Sequence, residues 1–405
     1  MNVLALASYP IEAAATRYRL AQFVEPLGER NIQLTIHPLI DSELFAQLYA
    51  PGALAPKAAK LLQSTVARLF DVVKARRADV ILVQREAIIF GPPVLEWFLT
   101  RILRRPMVLD LDDATYVPYT SPTYGRFTKA LKFFGKTDYL IRWSRTVVCG
   151  NQTIAEYVSS KGGHTEIIPT VVDLEKFRPR ESHDESVPVV GWVGSHSTFP
   201  FLESILPALS ELAKSHSFKL KIVGSGKAEV SVVGVEVENL EWNLAREIED
   251  FRSIDIGLYP LSADNNWTLG KSGFKAIQWM AVGVPYVVTP LGAAAQIGEP
   301  NVTHYFANTQ DEWITKLKLL LTDSEKRRAM GAAGRQHAIT HFGVGAQADK
   351  LARVLRDAAR PVPSATRART SRMIWARAGW ALCRSRISRL RSNGTPEWSR
   401  SANCE

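Results

Sequence analysis

One stretch of the sequence decides the fold: Ile254-Asp-Ile-Gly-Leu-Tyr259, a polar loop, Ser272-Gly-Phe-Lys-Ala-Ile-Gln-Trp-Met-Ala-Val282, and then Tyr286-Val-Val-Thr289. The first and last segments are short apolar runs, which are typical of buried strands, and the middle segment has helical spacing. The stretch therefore predicts a strand, a helix and a second strand, which is the repeating unit of a parallel sheet.

The same alternation of short apolar runs and longer helical patterns extends through most of the chain. Predicted strands lie at Asn2–Ala7, Ile32–His37, Asp79–Gln84, Pro106–Leu111, Thr146–Cys149, Glu166–Pro169, Val187–Val193, Phe218–Val223, Ile254–Tyr259 and Tyr286–Thr289. Such alternation predicts an α/β protein with helices on both faces of parallel sheets. The polar, aperiodic stretch Arg178–Ser186 looks like a linker, so we predict two doubly wound, Rossmann-like domains that face each other across a cleft.

These boundaries divide the chain into four parts. We predict an N-terminal Rossmann-like domain over residues 1–180 and a C-terminal Rossmann-like domain over residues 181–345. A C-terminal helix follows over residues 346–360, and a basic tail covers residues 361–405. In open parallel sheets, ligands bind beyond the carboxyl ends of the strands, so the cleft between the domains is the expected site.

Composition excludes several classes of protein. The 405 residues are 46% hydrophobic and 22% charged, which is an ordinary globular mixture. The three cysteines are too few and too scattered for a disulfide framework or a zinc site, which favours a reducing compartment. No apolar run approaches the ~20 residues of a membrane span, and the N-terminus lacks the basic segment of a signal peptide. We therefore expect a cytoplasmic protein.

Positive charge is concentrated at the C-terminus. The formal net charge is +10, and the nine arginines and two glutamates of residues 361–405 supply most of it. Trp375 and Trp380 are interleaved with these arginines, which favours an anionic membrane surface over nucleic acid as the partner. The tail predicts a peripheral location on the inner face of the plasma membrane, and a disordered tail without lipid affinity is the alternative.

Two segments of the second half have the character of anion-binding sites. Gly194 and Ser195 follow a predicted strand and precede a helix, where glycine permits close approach and free amides suit a phosphate. Lys271 and Lys275 are four residues apart at the predicted start of the next helix, so they would share one face and bind an anion such as a diphosphate. A tight turn and two solvated lysines are the corresponding alternatives.

Acidic and basic residues also follow strands of the first half. Asp110, Asp112 and Asp113 end an apolar strand, and three carboxylates this close repel unless a cation or hydrogen-bond donors intervene. They are candidates for binding Mg²⁺, accepting a proton or binding sugar hydroxyls, although a helix cap and a turn would explain one or two of them.

The first strand and the helix after it carry further candidates. Tyr9 ends the first strand, and Arg17 and Arg19 begin the next predicted helix, which favours an anionic or hydroxylated ligand. A surface helix is the alternative. The predicted helix Arg126–Arg145 mixes basic and aromatic residues, which fits either a membrane or lipid-linked acceptor or ordinary core packing.

Together these segments resemble the GT-B glycosyltransferases, and most closely glycosyltransferase family 4, also called glycosyl transferases group 1. The motifs that carry the resemblance are Ile168-Pro-Thr-Val-Val-Asp173 before the linker, Gly191-Trp-Val-Gly-Ser195 after it, and Lys275-Ala-Ile-Gln-Trp-Met-Ala-Val-Gly-Val-Pro285. Their order and their domain-scale spacing are more specific than any one of them, and the resemblance covers residues 1–358.

The resemblance implies a function. It implies a hexosyltransferase of the EC 2.4 class that retains anomeric configuration, takes a nucleotide-sugar donor in the C-terminal domain, and serves a glycan or lipid-linked acceptor in the N-terminal domain. It also implies bacterial surface polysaccharide synthesis, with no bound metal or other cofactor. The implied site residues are Asp112 and Asp113 for catalysis, Gly194, Ser195, Lys271, Lys275 and Gln278 for the donor, and Tyr9, Arg17 and Arg19 for the acceptor.

One departure from the family concerns two glutamates that commonly contact the donor sugar and its ribose. The aligned positions here are Gly270 and Gln278. The Gln278 amide can still bind a ribose because it both donates and accepts hydrogen bonds, whereas Gly270 cannot replace a carboxylate. A GT-B nucleotide-sugar epimerase and a non-catalytic, membrane-associated protein that binds nucleotide-sugars are therefore the alternative functions.

Overall fold

The computed structural model describes residues 1–48, 54–118, 131–181, 187–263 and 266–361. Residues Met1–Ala359 form one compact unit. The predicted basic tail and the first part of the predicted helix Arg126–Arg145 lie outside the described residues.

The first sheet contains six parallel strands in the spatial order β2-β1-β3-β4-β5-β6. Its central strands are buried on both faces, as expected of a parallel sheet with a helical layer on each side. The strands are β1 Asn2–Ala7, β2 Gln33–Pro38, β3 Val80–Gln84, β4 Met107–Leu111, β5 Thr146–Cys149 and β6 Thr165–Ile167.

The second sheet also contains six parallel strands, in the order β12-β11-β10-β7-β8-β9. Two doubly wound parallel sheets confirm the predicted fold class. The strands are β7 Val189–Val193, β8 Lys219–Val223, β9 Glu236–Leu240, β10 Ile256–Tyr259, β11 Tyr286–Val288 and β12 His304–Phe306. The sequence prediction missed β9 and β12, the two edge strands, because one alternates with charged residues and the other has only three residues.

Helices connect the strands and cover both sheets. In the first half they are α1 Ala14–Arg19, α2 Val24–Glu29, α3 Ser42–Leu48, α4 Leu54–Leu69, α5 Asp71–Ala75, α6 Val94–Trp97, α7 Lys136–Trp143 and α8 Gln152–Ser160. In the second half they are α9 Phe199–Glu203, α10 Leu206–Ala213, α11 Glu247–Arg252, α12 Asn266–Leu269, α13 Phe274–Ala281, α14 Gln310–Thr322, α15 Ser324–Phe342 and α16 Val344–Ala359. Among the residues described, no helix is both long and apolar enough to cross a membrane.

The last helix, α16, returns from the second sheet to the first. Leu351 and Leu355 of α16 are buried in the same hydrophobic cluster as Val3 and Val80 of the first sheet. The C-terminal helix therefore packs as part of the N-terminal domain, and the chain crosses between the two domains twice.

Helix α13 begins later than its sequence predicts. Gly273 precedes it with a φ of 67°, in the left-handed region that glycine tolerates best, and the helix proper starts at Phe274. Lys271 thus lies in the loop before the helix and Lys275 in its first turn. The prediction that both lysines share one helix face is wrong.

Candidate active site

The two sheets meet where the loops after their strands come into contact. Asn151, which follows β5, caps α8 and donates from Nδ2 to the backbone oxygens of Gly270 and Lys271, each at 3.3 Å. Both of those residues lie between α12 and α13, in the connection that follows β10. The carboxyl ends of strands in both domains therefore border one cleft, which is where ligands bind in open parallel sheets.

Gly270 lies against the first domain. A Cβ atom at this position would lie 2.1 Å from the Cβ atom of Ala114, which follows β4. Any larger side chain would force the domains apart, so the close approach accounts for the glycine. The glutamate that family members commonly carry at this position has no room in this arrangement.

Asp112 is held in a buried ion pair with Arg85. The Nε and Nη2 atoms of Arg85 each lie 2.6 Å from an oxygen of Asp112, and the aspartate is 6% exposed. Burial alone would raise the pKa of Asp112, but the arginine outweighs it and holds that pKa below its ordinary value. Asp112 is therefore held in its ionised form, and both of its oxygens accept hydrogen bonds from Arg85.

Arg85 occupies a strained backbone conformation. It follows β3 with a φ of 61°, and its backbone N–H donates to the carbonyl oxygen of Asp110 at 2.8 Å. Non-glycine residues in the left-handed region cost about 1–3 kcal/mol and tend to cluster at functional sites. From this position the Arg85 side chain reaches Asp112. Hydrogen bonds from Arg85 therefore join the residue after β3 to the residues at the end of β4.

Asp113 has a different environment from its neighbour. It is half-buried and receives only a backbone hydrogen bond, from Ala114 at 3.1 Å, among the contacts of the described chain. Burial raises the pKa of Asp113 above its ordinary value, and the charge of Asp112 raises it further, although Arg85 and Lys271 oppose the change. A carboxylate with a raised pKa is suited to accept a proton near neutral pH.

Lys271 lies in the other domain, next to the point where Gly270 meets Ala114, and its charge interacts with that of Asp113. Burial lowers the pKa of Lys271, and the charge of Asp113 partly restores it. The structure therefore brings a predicted donor-binding residue together with a predicted catalytic residue, on opposite walls of the cleft.

Lys275 is positioned by Gln278, one turn further along α13. The Lys275 ammonium donates to Oε1 of Gln278 at 3.1 Å and lies 4.9 Å from the centre of the Phe251 ring. Gln278 has no exposed surface, and its Nε2 atom has no hydrogen-bond partner within the described chain. In this conformation the Gln278 amide oxygen accepts from Lys275, and the predicted contact of Gln278 with a ribose stays a prediction.

The pKa of Lys275 gives a pH prediction. Burial lowers this pKa to about 8, while Glu247 raises it in part. If the ammonium binds a diphosphate, the protein should bind UDP tightly at pH values below 8 and progressively more weakly above pH 8. Above that pH the Lys275 amine is largely neutral, so it must take up a proton when UDP binds. Titration calorimetry of UDP across this range should show proton uptake on the alkaline side. A Lys275→Arg variant should lose this pH dependence because its guanidinium stays charged, and an unchanged profile would contradict the role of Lys275.

Arg17 bridges the two domains. Its Nη2 atom donates to both oxygens of Glu247 in α11, at 3.2 and 3.0 Å, and the neighbouring Tyr18 hydroxyl donates to the same carboxylate at 2.8 Å. The Tyr18 ring lies 4.5 Å from the ring of Phe274. In this conformation Arg17 holds the domains together, and the predicted acceptor contact would require Glu247 to release it.

Arg19 is buried inside the first domain, where it holds neighbouring segments together. It is 3% exposed, forms an ion pair with Asp110, and donates to the backbone oxygen of Ile168 at 2.7 Å. Its hydrogen bonds are thus made inside the first domain, and the predicted contact of Arg19 with the acceptor stays a prediction. Asp110 is likewise withdrawn from the cleft.

The backbone amides of Gly194 and Ser195 are also occupied. Gly194 donates to the carbonyl oxygen of Val223 at 3.0 Å, and Ser195 donates to the hydroxyl of Thr198 at 3.1 Å. Because both amides already donate hydrogen bonds in this conformation, a diphosphate would have to compete for them, and their role in donor binding stays a prediction. Glycine at 194 has a packing reason, since a Cβ atom there would lie 2.1 Å from the indole of Trp192. The Ser195 side chain remains exposed at the carboxyl end of β7.

Tyr9 lies at the same edge of the first sheet as Arg85. Its ring packs edge-on against Phe45 with centroids 5.8 Å apart. Tyr9 therefore lines the N-terminal wall of the cleft, as its position after β1 predicts.

Sequence reasoning missed three residues of the site: Arg85, Asn151 and Glu247. Arg85 and Asn151 each stand just after a predicted strand, so their positions at a carboxyl edge were a usable signal. Glu247 lies in a short helix with other acidic residues, and only the fold brings it to Arg17. In the described residues, no three His, Cys, Asp or Glu side chains are arranged to hold a metal ion.

Residues 187–323 match the family described as glycosyl transferases group 1. That segment coincides with the second sheet and the helices that cover it. The chain has the GT-B fold of the group 1 glycosyltransferases. The resemblance noted in the sequence is thereby confirmed for the GT-B fold, and residues 187–323 are similar to the group 1 glycosyltransferases.

Two curated glycosyltransferases are similar to the chain in sequence. The D-inositol 3-phosphate glycosyltransferase of Segniliparus rotundus is 23% identical over 292 residues, which cover 65% of this chain and 64% of the relative. The GDP-mannose-dependent monoacylated alpha-(1-6)-phosphatidylinositol monomannoside mannosyltransferase of Corynebacterium glutamicum is 24% identical over 228 residues, covering 50% of this chain and 60% of the relative. The chain thus spans less than two thirds of the length of either relative.

A solved structure shares the fold. Anabaena HepE in complex with UDP-glucose superposes with a TM-score of 0.63 at 17% identity, covering 88% of this chain and 100% of HepE. The superposition spans both sheets, which supports the GT-B arrangement across the compact unit.

Proposed function

We propose that this protein transfers a sugar from a nucleotide-sugar donor to a hydroxyl group of a glycan or lipid-linked acceptor, as an EC 2.4 enzyme. The observation that carries the proposal is the close approach of Gly270 to Ala114 between two GT-B domains, which brings Lys271 into the electrostatic environment of Asp113. The family match over residues 187–323 and the similarity to a protein solved with UDP-glucose support a nucleotide-sugar donor.

Lys271 and Lys275 supply the positive charge that the departing nucleoside diphosphate needs. Both are half-buried, and burial lowers the pKa of each. Fixed cations in a water-poor site stabilise developing negative charge more strongly than they would in water. Gln278 holds Lys275 in place from below, so the two lysines reach the cleft from the loop and from the first turn of α13.

Asp113 has the position and the pKa to accept the proton of the acceptor hydroxyl or to orient that hydroxyl. The Arg85–Asp112 pair fixes the turn on which Asp113 stands. The oxocarbenium-like sugar would then lie between this carboxylate and the diphosphate held by the lysines.

Finer features of the function belong to the same proposal. We place the enzyme in glycosyltransferase family 4, with retention of anomeric configuration, no required metal and a role in bacterial surface polysaccharide synthesis. The C. glutamicum relative acts on a phosphatidylinositol mannoside by its name, which supports a lipid-linked acceptor. We also infer a cytoplasmic protein whose basic tail contacts the anionic inner face of the plasma membrane.

A panel of nucleotide-sugars tests the proposal. We expect one UDP-, GDP- or ADP-sugar to raise the thermal unfolding midpoint, since a ligand that binds only the folded state stabilises it. Chromatography of the incubated donor then distinguishes the functions. Transfer to lipid-extracted acceptors supports the proposal, interconversion of the donor sugar without acceptor indicates an epimerase, and binding without turnover indicates a non-catalytic protein.

Replacing the two lysines tests the donor site. Lys271→Ala and Lys275→Ala should each weaken UDP binding by about 1–3 kcal/mol, the range for hydrogen bonds to charged groups. Titration calorimetry measures the change, and Lys214→Ala, which replaces an exposed lysine just after α10, is the control that should leave the affinity unchanged. Wild-type affinity in both variants would refute the assignment.

A further inference from the structure

A row of exposed apolar side chains runs along α4 and α5. Its members are Leu62, Val66, Leu69, Phe70 and Val73, with exposed fractions of 66%, 49%, 51%, 70% and 60%. Their spacing places them on one helical face, and Phe70 between the two helices keeps right-handed helical angles, so the face continues from α4 into α5. We call these five residues the apolar stripe.

The opposite face of the two helices is fixed to the first domain. The buried Arg68 donates to the backbone oxygens of His37 and Ala7, at 2.8 and 2.6 Å, and to Asp71 at 3.0 Å. Leu61 packs against the hydrophobic cluster that contains Ile40. The stripe is therefore exposed because the helix is anchored through its other side.

Positive charge surrounds the end of the stripe. Lys74, Arg76 and Arg77 are exposed within the last turn and just after it, and Asp71, which pairs with both Arg68 and Lys74, is buried. Arg105 donates to the backbone oxygens of Arg76 and Ala78, which brings the next basic segment alongside. An apolar helical face bordered by cations is the pattern of a helix that lies in the interface of an anionic bilayer.

The stripe lies on the acceptor side of the molecule. Ala7 and His37, whose oxygens receive Arg68, stand at the carboxyl ends of β1 and β2. Tyr9 and Arg85 follow β1 and β3 at the same edge of that sheet. A surface that contacted the apolar stripe would therefore lie near the wall of the cleft that the first domain forms.

We propose that the apolar stripe seats the folded protein on an anionic lipid bilayer. This surface is separate from the basic tail and from the donor site, and the proposal does not rest on the transferase activity. The occupant is a bilayer because the apolar face and its cations together match anionic lipid. A protein partner and a second copy of the chain are outcomes that the test must distinguish.

Vesicle co-sedimentation of the full-length chain tests the stripe. We compare wild type with Val66→Ser/Phe70→Ser, using phosphatidylcholine vesicles with and without phosphatidylglycerol at low and high salt. The control variant is Val233→Ser/Ile339→Ser, which removes two exposed apolar side chains from the second half of the chain. We expect the stripe variant to bind anionic vesicles at least tenfold more weakly while the control binds like wild type. Both variants should bind UDP like wild type, which separates this proposal from the proposed function.

A local probe separates the stripe from the tail. In a chain with Cys383→Ser and Cys404→Ser, Phe70→Cys carries an environment-sensitive dye, and Val233→Cys carries it in the control. The dye at residue 70 should shift to shorter wavelength with anionic vesicles only, and the dye at 233 should not shift. Sedimentation without a shift at residue 70 would overturn the proposal in favour of tail binding, and a shift that depends on protein concentration without vesicles would overturn it in favour of a second copy.

Discussion

Asp113→Asn should lower kcat by about 10²–10⁴-fold, the usual contribution of a positioned general acid or base. The amide cannot accept a proton, whereas the carboxylate has a pKa raised by burial and by Asp112. A loss of this size corresponds to about 3–5 kcal/mol of transition-state stabilisation. UDP affinity should change little, because Asp113 belongs to the domain opposite the nucleotide. Steady-state kinetics with a nucleotide-sugar and its acceptor, beside calorimetry of UDP, measures both quantities.

Asp112→Asn is the matched comparison for this variant. Asp112 is occupied by Arg85 through both oxygens, so its replacement should lower stability and leave a rate above that of Asp113→Asn. If Asp113→Asn kept wild-type turnover, the carboxylate would not be the proton acceptor. If only Asp112→Asn lost turnover, the roles of the two residues would be exchanged.

The sequence predicted the architecture because burial leaves a periodic pattern. Central strands such as β3 and β4 are buried on both faces, and their continuous apolar runs are visible without a structure. The edge strand β9 carries charged residues and gives no such pattern. The start of α13 was misplaced for a local reason, because Gly273 ends the preceding loop in a left-handed conformation that spacing does not reveal.

The site was predictable only in part because its contacts join distant segments. The sequence identified Asp113 and Lys271 as candidate site residues from their charge and from their positions after predicted strands. That they lie near each other depends on how the two domains pack, which the sequence does not show. The amides of Gly194 and Ser195 looked available until β8 and Thr198 were seen to receive them. In the sequence, Gly270 stood out as the loss of a glutamate that commonly contacts the donor sugar. The structure gives a packing reason for the glycine, because it lies directly against Ala114.

Arg19→Met should lower the free energy of unfolding by about 3–5 kcal/mol, the cost of leaving one partner of a buried ion pair unpaired. The side chains of Arg19 and Asp110 are 2% and 5% exposed, so water cannot replace the lost guanidinium. Burial already raises the pKa of Asp110, and Arg19 opposes that rise. Without the arginine, the carboxyl group must either remain an isolated buried charge or take up a proton.

Chemical denaturation followed by circular dichroism measures this change. Arg30→Met, which breaks the solvent-exposed pair with Asp349, is the control and should shift the curve little. The double variant Arg19→Met/Asp110→Leu should recover part of the lost stability, because it removes both buried charges together. An unchanged unfolding curve with a raised KM for the acceptor would instead return Arg19 to the acceptor-binding role that its sequence position suggests. A loss of stability with unchanged KM would establish that the Arg19–Asp110 pair supports β4 and, through it, the turn that carries Asp113.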